Sequence, residues 1–261
     1  MPLFMETLEK RALLSGSPAP VEVFAPHTHG VAEASARWWK WAVSFDGTQS
    51  NPFTDATGAG ANLKQSGPVF FLGGTTGGAA SRAFNVPDHK RLLVPLLVGE
   101  LSQIEGAGNT PAEVRTAAKA QADLIDSLHA SIDGVAVPMS TLFAHREVSP
   151  VFHFTAVTNN LFVTPAPPAT LPAESGIAVA DGYWLELAPL PEGTHVINFG
   201  GAISAFGFSI DVTDTITVGD GHENENSREA AIAPSVRDQG HDWSLTKKDD
   251  DVLGRSDGSL F

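Results

Sequence analysis

Cysteine is missing from all 261 residues. Its absence excludes disulfides, thiol catalysis and Cys-ligated zinc, so the fold rests on its core, on metals held by other side chains, or on partners. Positive charge is scarce: 16 Lys and Arg face 30 Asp and Glu, a formal net charge of −14. Phosphate backbones need a cationic surface, so the charge argues against nucleic acid as a partner and against anionic membrane surfaces. No window approaches the roughly 20 consecutive apolar residues of a membrane span. Catalytic signatures are also absent. There is no Gly-x-Ser-x-Gly elbow and no His-Glu-x-x-His pair, and "GGTTGG" (73–78) lacks the Lys-Ser/Thr of a phosphate loop. Charged residues make up only 18%, against 25 Gly and 18 Pro, a mixture that favours turns and short strands over a helical bundle.

What is present reads as β structure with a few helices. Residues 1–30, punctuated by Pro18, Pro20 and Pro26, read as a tag and spacer. Residues 31–218 read as the globular domain. Residues 219–261, with ten Asp or Glu against five Lys or Arg, read as an acidic, weakly ordered tail. In "VAEASARWWKWAVSF" (31–45), Ala34, Trp38, Trp41 and Phe45 recur at helical spacing. That predicts a helix with its tryptophans in the core; the other reading of the same face is an aromatic platform for sugars. A second helix is predicted over 111–129. Thr110 caps it, Pro111 opens it, Glu113 completes a capping box, and Val114, Ala118, Ile125 and Leu128 form its apolar face.

Strands are expected at "GPVFFLGG", "RAFNVP", "RLLVPLLV", "VFHFTAV", "GYWLELA" and "THVINFG", with Pro95 placing its strand at an edge or bulge. In "AFGFSIDVTDTITV", Phe206, Phe208, Ile210, Val212, Ile216 and Val218 share one parity and Ser209, Asp211, Thr213, Thr215 and Thr217 the other. That alternation predicts an antiparallel strand with one wet face. The expected fold is mainly β: a single-domain, jelly-roll-like antiparallel β-sandwich with about two packed α-helices.

Two resemblances add to this reading. "LEKRALLS", with Leu8, Glu9, Arg11, Leu13, Leu14 and Ser15, resembles the Leu-Glu-x-Arg-x-Leu-Leu-Ser signature near the N-termini of exported planctomycete proteins. The stretch has no apolar h-region of a Sec-type leader. The resemblance implies export to the cell surface or exterior. Further along, "NPFTDATG", "QSGPVFFLGGTTGG", "SRAFNVPDHKRLLVPLL", "HREVSPVFHF" and "DGYWLELAPLPEGTHVINFGG" resemble, in order, a family of exported bacterial β-rich proteins. No activity comes with that family. The resemblance implies a Cys before Gln-Ser-Gly-Pro and another before Val-Pro. Here those neighbourhoods read Ala61-Asn62-Leu63 and Ala83-Phe84-Asn85, so a disulfide there is lost.

Candidate chemistry is sparse. His27 and His29 have His-x-His spacing, which in an extended segment lets two imidazoles share a divalent metal ion. His153 and His195 lie within apolar alternations, and Glu186 shares parity with Trp184. Glu186, His195 and His153 are therefore the catalytic candidates, Glu186 as a carboxylate for acid–base work on a sugar. Arg82 and Arg146 stand in apolar surroundings and are expected to pair with buried carboxylates. "DGHENEN" (220–226) reads as a solvated acidic loop and lacks the order of a calcium loop. The function expected is an exported structural or binding module that meets a protein or glycan at the cell surface, compatible with a homo-oligomer. The alternative is a metal-assisted hydrolase or oxidase acting on polysaccharide.

Overall fold

A computed structural model describes residues 21–219. The export-like stretch, the acidic tail beyond Gly219 and its "DGHENEN" loop lie outside the described residues.

Runs that are apolar at nearly every position become strands covered on both faces. Strand β1 (Val69–Phe71) is wholly buried, β3 (Arg91–Ser102) nearly so, and every residue of β9 (Ala178–Leu187) is buried. With β6 (Arg146–Val148) they form a four-stranded sheet in the order β1-β3-β9-β6. Runs that alternate become strands with one wet face. Along β11 (Phe208–Gly219), Ile210, Val212, Asp214, Ile216 and Val218 are buried while Ser209, Asp211 and Thr217 are exposed. It joins β2 (Gly78–Pro87), β10 (Gly193–Ile203), β4 (Ser127–Ile132) and β5 (Val135–Ala136) in a five-stranded sheet ordered β2-β11-β10-β4-β5.

The two sheets pack face to face. Leu92, Val94 and Leu185 of the first share one core with Ile197, Phe199, Val212 and Ile216 of the second. The mainly β, single-domain sandwich is thus present. Its ladders are mixed, since β1 pairs parallel with β3 and β2 parallel with β11, so the uniformly antiparallel pairing expected gives way at both strands. Pro95 marks a β-bulge, where the register against β9 shifts between Pro95 and Leu97. The bulge changes the parity that faces the other sheet, from Leu92, Val94 and Leu96 to Leu97.

The outer face of the four-stranded sheet is covered by α1 (Val31–Ala42), which ends three residues short of the predicted 31–45. Trp38, Trp39 and Trp41 are all buried there. Trp38 meets Trp184 edge-on at 5.4 Å and Phe53 at 5.6 Å, and its indole donates to the Leu72 carbonyl at 2.8 Å. Helix α2 (Pro111–Ala122) starts as read, with the Thr110–Glu113 capping box formed. It stops at Ala122, not 129. From Asp126, whose amide bonds the Ala202 carbonyl, the chain pairs with β10, and Leu128, Ala130 and Ile132 are buried as a strand face. A short α3 (Met139–Ala144) was not anticipated. Of the strand expected over 151–157, only β7 (Thr155–Ala156), paired with β8 (Ala173–Glu174), and a bridge from Phe152 to Ala178 are formed. Phe206, expected on the core face, precedes β11 in a 3-10 turn and is 71% exposed.

Residues 21–24, read as spacer, run beside β9. Val23 bridges Leu187, the Phe24 amide bonds the Glu186 carbonyl at 2.9 Å, and Ala188 donates to the Glu22 carbonyl at 3.0 Å. Where the family resemblance implies a disulfide, the Asn62 side-chain amide donates to the Asn85 carbonyl at 2.9 Å.

Candidate functional site

The sequence candidates separate when placed in the fold. His27 and His29 both adopt left-handed backbone, φ 61° and 55°, so the extended geometry that would aim two imidazoles at one metal is not formed. His27 binds Glu147 through its amide at 2.8 Å and through Nδ1 at 2.9 Å, while His29 stacks on Phe24 at 4.1 Å. His195 is held structurally, Nδ1 on Asp133 at 2.8 Å and Nε2 on the Pro191 carbonyl at 2.9 Å. His153 is exposed between buried Phe152 and Phe154. Among the described residues no three His, Asp or Glu side chains are grouped to hold a metal ion.

Glu186 lies on the α1 side of β9 with Trp184. Arg91 bonds its Oε1 at 2.7 Å, while its buried Oε2 has no partner among the described residues. Burial pushes this carboxyl up, and the charges of Arg91, His29 and Arg37 draw it back. The arrangement reads as a structural ion pair at the foot of a basic region, with no second carboxylate paired to it for acid–base work among the described residues.

That region opens into a cleft of about 500 Å³ beside α1, lined by Arg37, Lys40, Trp41, Lys64, Ser66, Gly67, Pro68, Val69 and Phe71. Arg37 and Lys40 stand at i and i+3 on the exposed side of α1, next to Trp41, whose buried side chain also lines the cleft. Lys64 comes from the loop before β1, its backbone at φ 55°. Its ammonium sits on the Ser44 carbonyl at 2.7 Å and 4.6 Å over the Phe45 ring. Lys90 reaches the same rim, donating to the Gly67 carbonyl. Residues 21–219 hold nine Lys and Arg in all. Arg82, Arg91, Lys119 and Arg146 are in ion pairs. Of the five that pair with no described carboxylate, Arg37, Lys40, Lys64 and Lys90 surround this cleft and only Arg115 lies apart from it. In a chain of net charge −14, that is a local reversal of sign, suited to an anion.

Edge strand β1 forms one side of the cleft. Its Phe71 amide is not free to donate to a further strand, because it donates to Gln65 Oε1 at 3.0 Å while Gln65 Nε2 donates to the Phe71 carbonyl at 2.8 Å. The side chain of Gln65 covers that edge.

The periodicity of the tryptophan stretch marks its apolar face, and the exposed side of the same helix carries half of the cleft's cations. A helical wheel brings Arg37 and Lys40 together. Nothing local in the sequence brings Lys64 and Lys90 to them. No protein-family model matches this chain, and neither curated proteins nor solved structures give a match.

Proposed function

We propose that the chain is an exported recognition module on a jelly-roll-like sandwich, holding an acidic glycan of the cell surface in the cleft beside α1. The observation that carries this reading is the gathering of Arg37, Lys40, Lys64 and Lys90, none paired with a described carboxylate, around one concave surface. Export is supported by the "LEKRALLS" stretch. A carboxylated or sulfated glycan suits the cleft better than an extended peptide. A peptide of that kind gains its affinity by adding to a sheet edge, and Gln65 covers the edge available here.

The test is binding of the full chain to polygalacturonate and dextran sulfate, with neutral dextran as control. Both polyanions bind, more weakly as salt rises, and neutral dextran does not. Lys40→Ala combined with Lys64→Ala weakens binding on the order of 30-fold, at about 1 kcal/mol per cation removed beside an anionic polymer. Lys119→Ala, at a cation already paired with Asp123, leaves it unchanged. Equal binding of dextran, or no loss in the double variant, would remove the reading.

A further inference from the structure

A second concavity has the opposite chemistry. It measures about 240 Å³ and opens beside the Pro95 bulge of β3. Trp39, Phe53 and Phe162 form one wall, Pro95 and Val98 of β3 another, and Phe208 of β11 a third. Arg82 fixes its loops by donating to the carbonyls of Pro52 and Gly73 while paired with Asp214. The pocket is therefore preformed and apolar. An apolar cavity of about 150 Å³ is already enough to take benzene.

Beside it stands a ring without a place of its own. Phe206 is the most exposed large apolar side chain among the described residues, at 71%. It is presented on a tight turn, Ser204–Phe206, closed by Gly207 at φ 60° and by the Gly207 amide on the Ser204 carbonyl at 3.1 Å. The Ser204 hydroxyl binds Asp126 at 3.1 Å, tying the turn to the start of β4. Phe206 and the wall residue Phe208 are two positions apart, so at most about 7 Å of chain separates projection from pocket.

We propose that this face is where two copies of the protein meet, with Phe206 of each filling the apolar pocket of the other. An exposed ring two residues along the chain from the lining of an apolar hole gives each copy both a projection and a site for one, and a two-fold axis satisfies both at once in a closed, isologous dimer. The buried ring and its pocket form the centre of the interface, and the like net charges of the two copies oppose it. Salt therefore strengthens the dimer, the reverse of its effect on glycan binding at the cleft.

Sedimentation equilibrium of the full chain tests this. A monomer–dimer equilibrium shifted toward dimer by added salt is expected. Phe206→Ala acts twice per dimer at roughly 30-fold for each central ring, weakening association on the order of 1000-fold. Thr76→Trp, at an exposed residue of the pocket lining, does the same without touching Phe206. Both variants keep the wild-type circular dichroism, and their melting temperatures match the wild type at concentrations low enough for it to be monomeric, since neither site is in the core. A monomer at every accessible concentration, a dimer indifferent to both substitutions, or open-ended polymers in place of a closed dimer would each overturn the proposal.

Discussion

Arg82 and Asp214 lie 132 positions apart and meet at 2.8 Å with both side chains almost wholly buried. Asp214 falls on the core parity of β11, where a carboxylate is tolerable only because the guanidinium reaches it. The pair does more than neutralise itself, because Arg82 also satisfies the backbone carbonyls of Gly73, in the loop after β1, and of Pro52. Arg82→Ala leaves a buried carboxylate and two carbonyls without a donor and is expected to cost about 3–5 kcal/mol in chemical denaturation. The Arg82→Ala, Asp214→Ala double variant costs less than the sum of its singles, because it strands no charge. A single-variant cost under about 1 kcal/mol would show the pair to be dispensable. That Arg82 and Arg146 would find buried carboxylates was legible from their apolar neighbours; which carboxylates, Asp214 and Asp181, was not, because the partners are set by sheet pairing between distant segments. The same limit hid the cleft, half of whose cations come from loops around β1.

The alternation of β11 is the most legible pattern, and the structure gives it a dry side toward the other sheet and a wet side on which Asp211 and Thr213 both accept from Asn198 of β10. Ile210→Asp is expected to bury an unpaired carboxylate and either prevent folding or cost several kcal/mol. Thr213→Asp, on the outer face, stays within about 1 kcal/mol. Urea midpoints of the two variants separate these outcomes, and equal damage would mean that the outer face is covered as well. Helix ends were less legible. The start of α2 is written locally in Thr110, Pro111 and Glu113, whereas its end depends on competition with a sheet. Ile125 and Leu128 fit the helical period but are also where the chain turns into the alternation Leu128, Ala130, Ile132, and pairing with β10 decides between the two. Phe206 shows the converse: its parity matches the core face, but the turn closed by Gly207 takes it off the strand.

At the scale of the whole molecule, the carboxylates divide into two groups with opposite pH dependence. Burial raises Glu100 well above the usual range, with the charge of Glu105 adding to it, and burial also raises Glu105 and Glu186. Asp214 is pushed up to about 6 by burial, against the pull of Arg82. Such groups bind protons on folding, so the stability they contribute is complete below their unfolded values and is lost as pH rises through their folded ones. Asp46, Asp55, Glu113, Asp123 and Asp211 are lowered, chiefly by hydrogen bonds from Thr48, Thr57, Asn109, Lys119 and Asn198 respectively. What they contribute is present above their unfolded values and is lost as pH falls through the folded ones. These five are exposed or nearly so, and their weight is small. Self-repulsion adds to the first group, since a net charge of −14 at neutral pH falls toward zero near the isoelectric point of about 4.9. The two arguments together place maximal stability at mildly acidic pH. The melting temperature of the full chain is expected to rise by roughly 5–10 °C as pH is lowered from about 8 to about 5, the scale set by a buried carboxyl shifted by about two units in a chain of this size. Glu100→Gln raises stability at pH 8 and flattens this slope, because it removes a buried charge while keeping a polar group of the same size. Added salt at pH 8 recovers the part due to self-repulsion and leaves the buried part in place. A melting temperature that is flat, or higher at pH 8 than at pH 5, would mean that the raised carboxylates are relieved in solution by contacts absent from residues 21–219.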